Sequence, residues 1–201
     1  MKNFYLNFAI AEEDTLKFLA SIEDYENQLD LKYKVSTDEG ILQEVIENPV
    51  GRIFIDCPGG IVSLSAMIYH VLSTSKYEYE YVISGCVDSA AFFLLTALAP
   101  KNITIYSSAS AMIHYSYFEI NTTIASVKKH HGPERDRYEN HKKEMKKLES
   151  IYKNLVDKDK YEKLIKGADV HLSSKEVSKI FNNISKDVNL QNLTKRFFEL
   201  T

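Results

Sequence analysis

The sequence lacks any long apolar run and any excess of positive charge. No stretch approaches the roughly 20 apolar residues that a helix needs to cross a bilayer, so we do not expect a membrane partner. The 25 Lys and Arg residues against 28 Asp and Glu residues give a formal net charge of −3. Because phosphate binding needs concentrated positive charge, this balance argues against nucleic acid as the main partner.

Cysteine is also scarce, and the first residues carry no secretory signal. Cys57 and Cys86 are the two cysteines of the sequence, and each lies at the end of an apolar run, where a buried free thiol is the usual state. Residues 1–5 lack the apolar stretch and small-residue cleavage site of a signal peptide. These features predict a reducing, cytoplasmic location.

The sequence shows no internal repeat and no low-complexity tract. Hydrophobic residues are 44% and charged residues 26% of the total, the balance of a globular chain with a substantial core. At 201 residues we expect a single domain spanning residues 1–201, with residues 122–166 forming a helical arm within it.

Residues 1–51 predict a strand and helices in a less regular order. An apolar opening strand spans about residues 3–10, and acids at residues 12–14 mark the start of a helix. Apolar residues then alternate with polar ones over residues 31–35, which predicts a short strand. A second helix is expected over about residues 41–46, before the turn signals at residues 48–51.

From residue 53 onwards, short apolar strands alternate with helices. Strands are expected at residues 53–55, 81–84, 103–106 and 111–114, and helices at residues 62–74 and 89–99. Such alternation implies crossover connections and a mostly parallel sheet, the α/β class. Ligand sites in these sheets lie where strands end and helices begin.

A long charged helix is predicted over residues 134–166. Apolar side chains recur there at intervals of three and four, including Tyr138, Met145, Leu148 and Tyr152. Two interpretations stay open: a solvated helix packed on its own domain, or an arm that interdigitates with another subunit. After it, residues 169–176 predict a short extended piece that leads into a capped helix.

Three strand ends carry residues that could do chemistry. The Pro-Gly-Gly turn at residues 58–60 could expose backbone N–H groups to an oxyanion, although taken alone the motif favours a plain turn. Ser89 opens a helix after Asp88, so it is either an N-cap or a nucleophile. Asp88 itself is expected to be a cap or an ion-pair partner. His114 ends an apolar strand, either as a core residue or as a general base.

Taken together, these segments resemble the Clp protease proteolytic subunit family, the ClpP-like serine proteases of the Clp/crotonase superfamily. Residues 55–60 (Ile-Asp-Cys-Pro-Gly-Gly) resemble its oxyanion segment, and residues 85–95 resemble its nucleophile segment. Residues 112–114 resemble its histidine strand, and Gly-Ala-Asp at residues 167–169 resembles the segment that carries the acid. The Val-Asp-Ser variant at residues 87–89 is most similar to the branch called Ser-Asp-His Clp-fold proteinases.

The resemblance implies a serine endopeptidase with Ser89 as nucleophile, His114 as general base and Asp169 as orienting acid. The oxyanion donors would be the backbone N–H groups of Gly60 and Ala90. The implied fold is a ClpP/crotonase-like spiral of β-β-α units with a mostly parallel sheet and a protruding long handle helix. It further implies a homo-oligomeric ring that acts on peptides or proteins and needs no cofactor and no metal.

Three parts of the chain depart from the family pattern. Near the end, residues 181–184 (Phe-Asn-Asn-Ile) replace the family's Gly-Leu-Val/Ile-Asp. Tyr115 and Ser116 replace the family's proline after the histidine, and residues 117–120 replace the glycine-rich strand that pairs with substrate. Residues 1–51 do not match the family's axial loops, so docking to an unfoldase ATPase has no support in the sequence. Two alternatives stay open: a catalytically inactive ring-forming subunit, and an acyl-CoA enzyme of the crotonase branch.

Overall fold

The computed structural model describes residues 1–38, 49–115 and 133–198. Its backbone contacts divide the chain into two compact units. The first unit comprises Met1–Met112 and His171–Thr201, and the second comprises Ile113–Val170. Within the described ranges, no helix is both long and apolar enough to cross a membrane. The expectation of a single domain with an arm stays a prediction.

The described secondary structure alternates between strands and helices over most of the chain. In chain order the elements are β1 (Lys2–Leu6), α1 (Glu12–Asp38), β2 (Gly51–Cys57), α2 (Val62–Thr74), β3 (Tyr79–Val87), α3 (Ser89–Leu98), β4 (Ile103–Ile105), β5 (Ser110–Ile113), α4 (Pro133–Leu155), α5 (Lys158–Ile165), β6 (Val170–Ser173), α6 (Ser174–Ile184) and α7 (Val188–Phe198).

The strands form one sheet with the order β1-β2-β3-β5-β6, and β4 pairs with β3 off this path. The β1–β2, β2–β3, β3–β4 and β3–β5 pairs are all parallel. Ile53 in β2 lies opposite Phe4 on one side and Tyr81 on the other, and all three side chains are buried. The predicted α/β class with a mostly parallel sheet is confirmed, and it brings the carboxyl ends of β2 and β3 to one edge.

Helix α3 is the centre of the first unit. Its side chains from Ala90 to Ala97 are all buried, as expected for a helix that is apolar on every side. Helices α2 and α7 pack against it, and the ring of Phe92 lies edge-to-face with that of Phe181 in α6, with ring centroids 6.1 Å apart. The helix that begins at Ser89 is therefore anchored on all sides by the core.

The second unit contains α4 and α5, where one continuous helix was predicted. The prediction of a single helix over residues 134–166 is wrong, because α4 ends at Leu155 and α5 begins at Lys158. The Asp157 side chain accepts the N–H of Lys160 at 2.9 Å and so caps the start of α5. Leu148, Tyr152 and Leu155 of the predicted apolar stripe are buried. Protrusion of this region as a handle stays a prediction.

The predicted strand at residues 31–35 is also wrong, because α1 continues through this segment to Asp38. Leu31 is 65% exposed, whereas Phe18 and Ile22 of the same helix are buried. The alternation of apolar residues was too short to mark a buried strand face, and an anchored helix gains one hydrogen bond for each residue added. The predicted helix at residues 41–46 and the segment at residues 117–120 lie outside the described residues.

Candidate active site

The Pro-Gly-Gly turn after β2 is held from two sides at the edge of the sheet. Ile10 donates its N–H to the Gly59 carbonyl at 2.7 Å and accepts the N–H of Ile61 at 2.9 Å. The N–H of Asp88 donates to the Cys57 carbonyl at 2.9 Å. These bonds fix the turn against the start of α3, as expected when the carboxyl ends of parallel strands meet.

Gly59 is required at this turn for both conformation and space. Its φ is +84°, in the left-handed region that favours glycine. A Cβ atom there would lie 2.5 Å from the Asp88 carbonyl oxygen, 2.8 Å from the Ser89 Cβ and 3.1 Å from the Ala90 nitrogen. The turn therefore contacts the backbone of the candidate nucleophile directly. Gly60 is equally constrained, with a φ of +144° and a built Cβ only 2.4 Å from the Ile10 carbonyl oxygen.

Ser89 has an unusual backbone conformation for a serine. Its φ is +51°, although it is the first residue of α3. The N-cap position belongs to Asp88, so the alternative interpretation of Ser89 as a simple N-cap is wrong. A residue other than glycine at positive φ stores strain, and such strain concentrates at functional sites, including the sharp strand-to-helix turns that carry nucleophilic serines.

The backbone N–H groups proposed as oxyanion donors, those of Gly60 and Ala90, both belong to the first unit. Ala90 is in the first turn of α3, where N–H groups have no partner within the helix and the dipole favours negative charge. Gly60 is exposed, and the hydrogen bonds that hold the turn use the Gly59 carbonyl and the Ile61 N–H. The role of both groups as oxyanion donors stays a prediction.

His114 and Asp169 lie close together in the second unit. His114 Nδ1 is 3.9 Å from Asp169 Oδ1, with the side chains 17% and 51% exposed. This separation is within reach of an ion pair with protonated histidine but longer than a hydrogen bond. The Asp169 carboxylate faces Nδ1, the nitrogen that an orienting acid contacts in a triad.

Tyr152 holds the main chain at His114. Its buried hydroxyl donates to the His114 carbonyl oxygen, and its ring lies edge-to-face with Tyr115 at 5.6 Å. Burial raises the pKa of Tyr115 to about 12, with a further contribution from the charge of Glu149. The tyrosine that anchors the His114 main chain thus also packs against Tyr115, the residue that follows His114.

The structure groups the predicted site residues by unit. Gly60, Ser89 and Ala90 lie in the first unit, whereas His114 and Asp169 lie in the second. A contact between Ser89 and His114 stays a prediction. Among the described residues, no group of three or more His, Cys, Asp or Glu side chains could hold a metal ion.

The two cysteines are free thiols next to the candidate serine turn. Cys57 is buried and donates to the Phe8 carbonyl at 3.1 Å, whereas Cys86 is half-buried rather than buried. Burial raises the pKa of Cys57 to about 11. Burial, with the charge of Asp88, raises the pKa of Cys86 to about 12. Because the thiolate is the nucleophilic form of cysteine, these raised pKa values disfavour both cysteines as nucleophiles at neutral pH.

Sequence patterns did not indicate the contacts of Asp88 and Tyr152. The Asp88 carboxylate accepts the N–H of Met112 in β5 at 2.6 Å. Tyr152 was recognised only as a member of an apolar stripe. A buried tyrosine usually needs a hydrogen-bond partner for its hydroxyl. The tyrosine within the apolar stripe is therefore the feature of the sequence that could have indicated a polar contact at residue 152.

The chain belongs to the Clp protease family. The family model described as Clp protease matches residues 40–151, more than half of the chain. The match includes Gly60, Ser89, Ala90 and His114, while Asp169 lies beyond it. This confirms the predicted resemblance and supports a protease-type function. A comparison with curated proteins gave no match.

Proposed function

We propose that this protein is a serine endopeptidase. In this mechanism His114 takes the proton of Ser89, and the Ser89 oxygen attacks the carbonyl carbon of a peptide bond. The proton then passes from His114 to the leaving amine, and an acyl-enzyme remains on Ser89. Water, deprotonated by His114, attacks the ester, the bond from the acyl carbon to the Ser89 oxygen breaks, and His114 returns the proton to that oxygen as the acyl group leaves as a carboxylic acid.

The observation that carries the proposal is the strained turn at Ser89. A serine at a φ of +51° opens a fully buried helix, and Gly59 approaches it so closely that no side chain fits between them. In a member of the Clp protease family, this conformation favours presentation of the Ser89 side chain at the sheet edge where such enzymes act.

Backbone N–H groups would stabilise the negative charge that develops on the substrate oxygen. We assign this role to Gly60 and Ala90. The start of α3 supplies partial positive charge at Ala90, and the surrounding hydrogen bonds hold Gly60 in a fixed turn. Donors that are fixed before the reaction cost no reorganisation during it.

Asp169 is proposed to orient His114 through Nδ1. This contact leaves Nε2 for the proton of Ser89. The observed 3.9 Å separation would have to shorten by about 1 Å to form a hydrogen bond. Catalytic hydrogen bonds are often long without substrate and tighten when it binds.

Labelling with a fluorophosphonate probe tests the proposal. Wild type should be labelled and should cleave peptides, while Ser89→Ala should lose both properties. Ser73→Ala is the matched control, because Ser73 is an exposed serine on α2 whose hydroxyl contacts only the local helix backbone among its described hydrogen bonds. Undiminished labelling of Ser89→Ala would exclude Ser89 as the nucleophile.

A catalytically inactive subunit is the second candidate. The long His114–Asp169 separation and the half-exposed Asp169 favour it. Such a protein would show no labelling at any concentration, although it would still assemble. The third candidate, an acyl-CoA enzyme, would bind acyl-CoA thioesters in a direct titration.

The partners proposed here are protein substrates and further copies of the chain. Members of the Clp protease family generally form homo-oligomeric rings that act on proteins. We therefore propose a ring of this chain, and a cytoplasmic location that fits its free thiols.

A further inference from the structure

Asp88 immediately precedes Ser89, yet its side chain does not cap helix α3. An aspartate at the N-cap normally accepts N–H groups from the first helical turn, and Asp88 makes no such bond. Its carboxylate accepts the N–H of Met112 at 2.6 Å instead. The carboxylate thus holds strand β5 against the turn that carries Ser89.

Strands β5 and β6 each contain a residue that favours the ionised form of Asp88. Met112 belongs to β5 and lies two residues before His114 in the chain. His171 belongs to β6 and lies two residues after Asp169. His171 favours the ionised form of Asp88 through its electrostatic interaction with the carboxylate. Strands β5 and β6 are neighbours in the sheet.

We propose that Asp88 is a positioning residue for the proposed reaction. Its carboxylate fixes β5 against the serine turn through the N–H of Met112. It thereby sets the end of the strand that leads to His114. This role rests on the proposed function, because it matters only if Ser89 reacts.

The surroundings of Asp88 disfavour the negative charge of its carboxylate. A residue that only had to accept the Met112 N–H would not need that charge. Burial raises the pKa of Asp88, and the nearby carboxylate of Asp56 on β2 adds to this. The Met112 N–H, the Cys86 thiol on β3 and His171 on β6 act in the opposite direction. Because the folded-state pKa is raised, ionised Asp88 lowers stability once the pH rises through that value. An asparagine would offer a neutral acceptor without this cost.

Substitution of Asp88 tests the proposal. We expect the rate of probe labelling at Ser89 to fall roughly tenfold in Asp88→Asn and further in Asp88→Ala, since bonds to charged acceptors are stronger than neutral ones. The thermal midpoint of Asp88→Asn at pH 8 should be equal to or above that of wild type. Asp187→Asn is the matched control, because its carboxylate also accepts backbone N–H groups, those of Asn189 and Leu190 at the start of α7.

The pH dependence separates positioning from a merely structural role. Wild-type labelling should rise as the pH increases through the Asp88 pKa, and this step should be absent in Asp88→Asn. Hydrogen exchange at the Met112 amide supplies a readout without activity, and it should be faster in Asp88→Ala than in wild type. Unchanged exchange at Met112 would overturn the proposal.

Two further outcomes distinguish this role from the proposed function. If wild type is labelled and the Asp88 variants are labelled equally fast, the positioning role alone is overturned. The same holds if the variants are labelled more slowly only in proportion to their loss of folded protein. An unlabelled wild type, or a labelled Ser89→Ala, would overturn the proposed function and the positioning role with it.

Discussion

At the residue scale, Gly59 and Gly167 have nearly the same backbone angle in different surroundings. Their φ values are +84° and +83°. A Cβ at Gly59 would overlap the backbone of Asp88 and Ala90, whereas nothing lies within 4 Å of a Cβ at Gly167. Alanine substitutions at the two positions therefore separate the stability lost through an unfavourable φ from the stability lost through steric overlap.

We predict that Gly167→Ala lowers the free energy of unfolding by about 1 kcal/mol, the conformational cost of alanine at positive φ. Gly59→Ala should lower it by roughly 3 kcal/mol or more, because the overlap adds to that cost. Gly59→Ala should also abolish probe labelling. Urea denaturation of both variants measures the difference, and equal losses would show that the turn can move away.

At the element scale, the sequence predicted the strands and helices that build the site better than those outside it. Helix α2 has its predicted bounds, and α3 begins at the predicted Ser89. Continuous apolar runs between turn residues determine these elements locally. The errors fall where the local pattern is weak, at residues 31–35 and at the break near Asp157.

The contacts between elements were beyond sequence reasoning. Nothing local indicates that the Asp88 carboxylate meets Met112 in β5, or that the Tyr152 hydroxyl meets the His114 carbonyl. Both contacts join residues far apart in sequence, so they depend on strand order and helix packing. Sequence reasoning identified side chains that could react, and the fold determines which groups hold them.

Tyr152 allows a prediction about helix α4. Tyr152→Phe should lower the free energy of unfolding by about 1–3 kcal/mol, because it removes a buried donor to the His114 carbonyl. It should also slow probe labelling, since the main chain at His114 loses its anchor. Tyr161→Phe is the matched control in the same unit. It loses an exposed bond to Glu149 and should change stability by less than about 0.5 kcal/mol. Equal effects would contradict this account.

At the scale of the whole molecule, assembly is the property that the family match leaves to experiment. We predict that native mass spectrometry will give one dominant oligomer, whose mass is a multiple of the 23.1 kDa chain mass greater than one. Membership of the Clp protease family supports this expectation. Ser89→Ala should assemble like wild type, because its substitution leaves the rest of the chain intact. A 23.1 kDa monomer at every concentration would contradict the ring.

The backbone angle of Ser89 also has a consequence in evolutionary terms. At a φ of +51°, glycine is more stable than serine by about 1 kcal/mol. Selection for stability alone would therefore favour replacement of Ser89 by glycine, and most proteins have little stability to spare. A serine at this position therefore lowers the stability of the fold, and the proposed role of its hydroxyl would offset that cost in selection.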